Sequence, residues 1–501
     1  MKSWATRDRK IRSQQIIRIG IFLIALFWFV YHVCYYRPID DAYITYLYAR
    51  NLAEGKGFIY SERYQTWGTT TPLLTILLSL FSRLGIDIPF MAKVLDFIAL
   101  LLQGAIVYEI FRLLKLARWQ PLGVLFLSLL ISSATSNPGM EYGLYAACSV
   151  GAVLCVITQR WPFAALGAAL AATIRPDGAL VWIIVAVAWL VQTHGRQKPL
   201  LFAGCLILLP LAWYLFAWFK FGRLMPQSLE TRQWEAHIWG TFGKDWMTAY
   251  LKPLEMRFIL LPALAGFILA CKRLRPMFWF LIYFAGYILL YSLFGLPSLS
   301  QYFCPLNLLV IIFTLVWLFA LIELIRKKSR KILYILLFIV SVLSLWKDAV
   351  ISYGLWSYQI KSPSRWEKLT IYKGISSWLR DSFPPGTSFA ANEIGVLGYY
   401  SRQDIIEIGS LVNPEGMTYH HNQHFGSLLQ KTNPLMIVVP SGFYETLKRG
   451  DDLSILDAYF PLAKLIDDHN EAVLIFVKKG IYDNKEIKHL RLMLYQSLAS
   501  L

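Results

Sequence analysis

The chain has 501 residues, of which 56% are hydrophobic and 15% aromatic, and its mean hydropathy is +0.48. A soluble domain runs at about 45–50% apolar, so the excess has to be covered by lipid. The net charge of +18 does not point to nucleic acid, because the basic residues stand in short groups between apolar runs and not on one face of a folded domain.

Those groups are Arg7, Arg9, Lys10 and Arg12; Lys115 and Arg118; Arg196 and Lys198; Lys272, Arg273 and Arg275; and Arg326, Lys327, Lys328, Arg330 and Lys331. Such groups mark cytoplasmic loops under the positive-inside rule. Keeping them inside predicts about eleven spans, near residues 16–34, 90–114, 120–136, 141–158, 162–175, 178–193, 199–219, 255–271, 276–295, 303–325 and 331–348. Several are shorter than the ~20 residues that cross a bilayer unaided; the charge alternation requires them. The first run ends in "VYHVCYYRP" with no cleavage-site pattern, so it reads as an uncleaved span with a cytoplasmic N-terminus. Asp96, Glu109 and Glu323 each lie three or four residues from a basic partner (Lys93, Arg112, Lys327), as local helix pairs do. The cysteines, Cys34, Cys148, Cys155, Cys205, Cys271 and Cys304, sit in or beside apolar segments and imply no disulfide framework.

After the first span comes "PIDDAYITYLYARNLAEGKGF", residues 38–58, whose Tyr43, Tyr46, Leu47 and Ala49 repeat at helical spacing up to a polar stop. The next apolar run, "TPLLTILLSLFSRLG", offers only ~13 residues, too few to span. It reads as an interfacial or re-entrant helix on the outer face, packed against the Tyr43–Glu54 helix. Residues 1–351 thus form a transmembrane module with outer-face loop helices at 35–89. Residues 352–501 alternate strand-like runs ("TSFAAN", "QDIIEIG", "LMIVVP", "AVLIFVKK") with helix-like ones ("LTIYKGISSWLRDSF", "SGFYETLKRG"), the pattern of a small extracytoplasmic α/β domain. Pro384, Pro385 and Gly386 predict a turn into its first strand.

The outer loops hold the candidate chemistry. Asp40 and Asp41 are adjacent carboxylates at the end of a span, where charge is costly unless it is used. One can deprotonate a hydroxyl while the other orients it or holds a cation; a helix N-cap is the competing role. Glu141 in "SNPGMEYGLY" and Arg175 and Asp177 in "TIRPDGAL" lie in further outer loops, Arg175 as a partner for phosphate. Lys220, Arg223 and Arg232 stand among aromatics on an outer loop where basic residues are disfavoured, which suits an anionic headgroup or plain interfacial anchoring. "TYHHNQHF" offers His420, His421 and His424 as metal ligands, without nearby cysteine or carboxylate, so a polar loop is the better reading. No phosphate-binding glycine loop, dinucleotide fingerprint or Ser/His/Asp pattern occurs.

"RPIDDAYITYLYARNLAEGKGF" followed by "TPLLTILLSLFSRLG" resembles the first outer loop of the polytopic GT-C glycosyltransferases, which use polyprenyl-phosphate-linked sugars outside the membrane. The paired Asp and the Tyr-Leu-Tyr-Ala-Arg-Asn helix are most similar to the mycobacterial terminal arabinofuranosyltransferases and their bacterial relatives; protein mannosyltransferases and lipid A aminoarabinose transferases are more distant kin. "NPGMEYGLY", "RPDG", "FGRLMPQS" and "AANEIGVLGYYSRQDIIEIGSLVNPE" also resemble those relatives. The chain departs from them at Gln301-Tyr302, where a basic residue often precedes the tyrosine, and at Arg232, where they often carry Lys.

The resemblance implies an inverting transferase in the cell membrane, with a prenyl-phosphate sugar as donor and a polysaccharide, glycolipid or protein hydroxyl as acceptor. It gives a loop-one Asp the part of general base, Asp40 by preference. Asp41 and Glu141 then orient the reactants or bind a divalent cation, and Arg175, Asp177, Arg223, Arg232 and Tyr302 contact substrate. A transporter or flippase for lipids or lipid-linked sugars is the alternative; it would predict inverted repeats and charges buried mid-span, whereas no repeat is seen and the acids cluster on one face. A cell-surface binding protein would not need so many spans.

Overall fold

The computed structural model describes residues 37–116, 139–194, 196, 198–238, 254–296, 300–327, 368–422, 425–449, 453–468 and 470–500, with a few isolated positions besides. In chain order its longer helices begin with α1 (Asp40–Ala53), α2 (Pro72–Arg83), α3 (Ile88–Leu113), α4 (Tyr142–Ile157), α5 (Trp161–Ile174) and α6 (Ala179–Thr193). Then follow α7 (Pro199–Phe221), α8 (Gln227–Ile238), α9 (Leu254–Arg273), α10 (Phe278–Leu293) and α11 (Cys304–Lys327). The expected spans from 90–114 and from 141–158 through 303–325 coincide with α3 to α7 and α9 to α11. Those at 16–34, 120–136 and 331–348 lie almost wholly outside the described residues. Among the described residues, 5 helices are long and apolar enough to cross a membrane, while α4 and α5 are shorter apolar helices.

The chain divides into two compact units. One comprises Met1–Arg37, Ala92–Ala212 and Trp239–Ile360; the other comprises Pro38–Met91, Trp213–Ile238 and Lys361–Leu501. In the first unit, small residues let helices approach closely, as in other membrane bundles. A Cβ on Gly167 of α5 would sit 3.2 Å from the Ala152 methyl of α4. Glu109 pairs with Arg112 at 2.7 Å, as its spacing predicts, and also with Arg160 at 3.3 Å. Asp96 does more than a local pair would: it is buried and accepts the Gly139 N–H at 2.6 Å.

The second unit is built on a five-stranded sheet: β1 (Ser388–Ala391), β2 (Asp404–Glu407), β3 (Met436–Pro440), β4 (Tyr459–Ile466) and β5 (Ala472–Lys478), in the order β2-β1-β3-β5-β4. β1 pairs in parallel with β2 and β3, and β5 runs antiparallel to both β3 and β4. The central strands read as unbroken apolar runs because both faces are covered. β4 was not expected from the sequence, since Pro461 lies inside it. It is an edge strand, where a missing N–H is tolerated, and the register shifts between Pro461 and Ala463. The core gathers Ala390, Ile406, Ile437, Val439 and Phe476. The turn predicted at Pro384-Pro385-Gly386 forms, with Gly386 at φ +82° and the Thr387 N–H donated to the Pro384 carbonyl at 3.2 Å.

The first-loop helices belong to this unit. α1 buries Tyr43, Tyr46, Leu47 and Tyr48, and α2 packs against it as expected. Thr45 shares hydroxyl contacts with Thr69 and Thr71 at 3.0 and 3.1 Å. Arg83 at the end of α2 donates to the Leu52 carbonyl near the end of α1 at 3.0 Å, where a cation meets the negative end of the helix. The remaining helices are α12 (Lys368–Ser382), α13 (Gly395–Ser401), α14 (Gly416–Asn422), α15 (Phe425–Thr432), α16 (Ser441–Arg449), α17 (Leu453–Leu456) and α18 (Asn484–Ala499).

Candidate functional site

Asp40 and Asp41 occupy the first turn of α1, and neither caps it: Ile39 holds the N-cap position with no side-chain bond. Their side chains part company. Asp40 turns to α13, where it accepts the Gly395 N–H at 3.1 Å on one oxygen and the Val396 N–H at 2.8 Å on the other. It therefore caps a helix remote in sequence. At the far end of α13, Arg50 of α1 donates to the Tyr399 carbonyl. An acid at the positive end and an arginine at the negative end clamp α13 along α1. Burial, then the charges of Glu393 and Asp41, push the Asp40 carboxyl up to about 7 despite the two amides.

Asp41 is the more open of the two, with a side chain 39% exposed, and its nearest cation is Arg232 at 3.8 Å. Arg232 lies on α8 and holds Glu235 at 2.8 Å. Just ahead of it, the "FGRLMPQS" block anchors α8. The Gln227 N–H donates to the Trp67 carbonyl at 2.8 Å, and its amide side chain donates to the Ser410 carbonyl at 2.8 Å. Thr231 donates to the same carbonyl at 2.8 Å. Arg223 stands 3.6 Å from Glu230.

The Ser410 carbonyl is itself held in place by Glu407. This buried carboxylate accepts the N–H groups of Leu411, Val412 and Asn413 at 2.7–2.8 Å, shaping the turn after β2. Burial outweighs the three amides and raises its carboxyl to about 7.

Two residues the sequence reading passed over join this constellation. Glu393, in the stretch leading into α13, pairs with Lys368 at 2.6 Å. Burial raises the Glu393 carboxyl, Lys368 lowers it and Asp41 raises it, so Asp40, Asp41 and Glu393 share one electrostatic neighbourhood. The available signal was Glu393 itself, the sole carboxylate in "TSFAANEIGVLGYY".

Glu141, Arg175, Asp177 and Tyr302 lie in the other unit and form a second constellation. Glu141 is at the N-cap of α4 and is 1% exposed. Arg175 ends α5 in extended backbone before the Pro176–Gly178 turn. Its guanidinium meets Glu141 at 2.6 Å and Asp177 at 2.9 Å. It also lies over the rings of Tyr142 and Tyr302, at 4.9 and 5.2 Å from their centres. Tyr287 and Tyr291 of α10 donate to the other Asp177 oxygen at 3.0 and 2.9 Å. Two carboxylates thus more than neutralise one cation inside a tyrosine box, and only a tightly bonded pair survives such burial.

Each Asp40 oxygen is taken by a backbone N–H, and Glu141 is held by Arg175. Among the described residues no group of at least 3 His, Cys, Asp or Glu could hold a metal ion. His420 and His421 fall on α14, but their side chains, and all of His424, lie outside the described residues.

A family described as a domain of unknown function (DUF8728) matches residues 359–478. Among curated proteins none matches in sequence. Solved structures do match in fold. ArnT from Cupriavidus metallidurans bound to undecaprenyl phosphate superposes with a TM-score of 0.53 at 12% identity, covering 91% of this chain and 97% of that one. Its apo form gives 0.55 at 11% identity, covering 92% and 98%. The Archaeoglobus fulgidus oligosaccharyltransferase, tethered to an acceptor peptide, gives 0.53 at 12% identity, covering 91% of this chain and 73% of that one. Likeness at such low identity speaks for architecture, and it extends over nearly the whole chain. The protein is a polytopic helical membrane protein with a C-terminal α/β portion, and its fold is the GT-C fold that the first loop resembles.

Proposed function

We propose that the protein is a glycosyltransferase that moves a sugar from a polyprenyl-phosphate donor to a hydroxyl of a cell-envelope acceptor on the outer face of the membrane. The observation that carries this reading is the open Asp41 carboxylate beside Arg232, on a fold whose solved examples include one with undecaprenyl phosphate bound. Asp41, not Asp40, is the general base in this reading, because both Asp40 oxygens already hold α13.

Asp41 takes the proton of the acceptor hydroxyl. The hydroxyl oxygen forms a bond to the anomeric carbon as the bond from that carbon to the phosphate oxygen breaks, and its electrons leave with prenyl phosphate. Attack from the opposite face inverts the centre. Phosphate is a weak base, so the step needs charge compensation and not a general acid. Arg232, with Arg223 on the same arm, supplies it. Glu141, Arg175, Asp177 and Tyr302 serve as a rigid polar frame for the loops that carry them. A closer kinship to the terminal arabinofuranosyltransferases rests on the first-loop motif.

The test is incubation of the purified full-length protein, in nanodiscs, with a panel of polyprenyl-phosphate hexoses and pentoses. Release of prenyl phosphate that is lost in Asp41→Asn supports the reading. Movement of intact donor between leaflets with no cleavage would make the protein a flippase.

A further inference from the structure

The second unit holds a cavity of about 570 Å³, lined by charged and apolar side chains, at the end of α1 away from the acidic pair. At 1.5 Å per residue, Glu54 lies roughly 20 Å along the helix from Asp41. Leu47, Arg50, Asn51 and Glu54 line it, at the spacing of a single helix face, and Arg402 and Gln403 close it from the turn after α13.

The neutral polar groups of this wall are already engaged. Asn51 donates to the Ile59 and Tyr60 carbonyls at 3.0 and 2.8 Å. Tyr60 donates to the Ile394 carbonyl at 2.8 Å. Gln403 donates to the Leu379 and Phe383 carbonyls at 3.1 and 3.2 Å. Arg63 is spent on Asp404, which its Nε meets at 3.0 Å.

The cations are not engaged to the same degree. Arg50, which already gives one guanidinium N–H to the Tyr399 carbonyl, converges with Lys56 and Arg402 on one carboxylate, Glu54, at 3.9, 2.8 and 3.9 Å. Only the Lys56 contact is of hydrogen-bond length. The Arg50 Nε–H is buried and has no hydrogen-bond partner. A buried donor left without a partner is costly, and doubly so on a charged group. Burial lowers the Arg50 guanidinium below its ordinary value, and of its charged neighbours Glu54 opposes that and Arg402 adds to it. With Arg63 and Asp404 cancelling, three cations face two carboxylates, Glu54 and Glu62, on this wall, and that net positive charge with an orphan donor behind it suits an oxyanion.

We infer that this cavity binds a phosphate or carboxylate group carried on the acceptor chain, so that the acceptor is an anionic polyol polymer gripped some 20 Å from the reacting hydroxyl. This rests on the transferase reading for the word acceptor, but binding itself does not depend on transfer. A lipid headgroup carries the same chemistry, and the experiment separates the two.

The full-length protein in nanodiscs of neutral lipid is titrated with a glycerol-phosphate oligomer, with inorganic phosphate, and with an uncharged maltooligosaccharide. The expected result is that the oligomer binds more tightly than inorganic phosphate and the uncharged chain does not bind. Lys56→Gln and Arg402→Gln, at side chains 49% and 67% exposed, should each weaken the oligomer about tenfold, the size of one lost charged hydrogen bond. Asp41→Asn should bind the oligomer as the wild type does, even where it has lost transfer. Equal binding by wild type and the Lys56→Gln/Arg402→Gln double variant would overturn the site. Displacement of the oligomer in nanodiscs of anionic phospholipid would assign the cavity to a headgroup and overturn the acceptor.

Discussion

The carboxylate of Asp40 accepts the backbone N–H of Val396 at 2.8 Å across a sequence separation of 356 residues. With the Gly395 N–H on its other oxygen, Asp40 does for α13 what a local cap does for an ordinary helix. Asp40→Ala leaves both amides without a partner and should cost about 2–4 kcal/mol. A fall in the melting temperature of the purified protein checks this. An unchanged melting temperature with lost transfer would return the catalytic part to Asp40.

Asp41→Asn should behave in the opposite way. Its side chain caps nothing and is 39% exposed, so the melting temperature should hold within about a degree or two while transfer falls by at least about 10²-fold, the usual cost of a lost general base. Initial rates of prenyl phosphate release measure it.

Gly395 lies against the Asp40 backbone, and a Cβ there would overlap the Asp40 carbonyl oxygen. Gly395→Ala should therefore drive α13 off α1 and lower stability by about 1–3 kcal/mol. Proteolysis at the 395–401 segment, faster than in the wild type, is the expected readout.

The pH dependence of stability follows from Asp40 and Glu407. Folding raises their carboxyls from 3.8 and 4.5 to about 7. Between those values the folded chain holds more protons than the unfolded one, so stability falls as pH rises through the window and levels off above it. Melting temperatures at about pH 5 and about pH 8 should differ in that sense. Glu407→Gln should shrink the difference, since one of the two groups no longer titrates.

Within the other unit, Arg175→Leu should be worse than Glu141→Gln. Losing Arg175 leaves two carboxylates buried together, whereas losing the Glu141 charge leaves Arg175 still paired to Asp177. The arginine change should cost about 3–5 kcal/mol, read as detergent-solubilised melting, and the glutamate change clearly less.

Much of this architecture is written locally. Alternation of apolar runs with basic groups located α3 to α7 and α9 to α11, and short apolar runs located β1, β2, β3 and β5. β4 escaped because Pro461 reads as a breaker unless the strand is known to be an edge. α18 went unread in the sequence although Asp483 and Glu486 stand at capping-box spacing, and the structure forms that box. The partners of Asp40 and Arg175 were not legible. Nothing local says that the Asp40 carboxylate meets the amides of a helix 355 residues away, or that Arg175, beside Asp177 in sequence, also meets Glu141 34 residues upstream.

Because α1 and α13 are brought together from opposite ends of the chain, the order of synthesis matters. α1 leaves the ribosome with Tyr43, Tyr46 and Leu47 uncovered, and its partner arrives only after some 355 further residues. At about 5–20 residues per second that is a wait of roughly 20–70 s. For that interval the first loop of every nascent molecule is a sticky, half-finished surface beside a membrane. A fragment holding only residues 359–478, the stretch matched by the domain family, would carry the complementary half of the same unfinished contact.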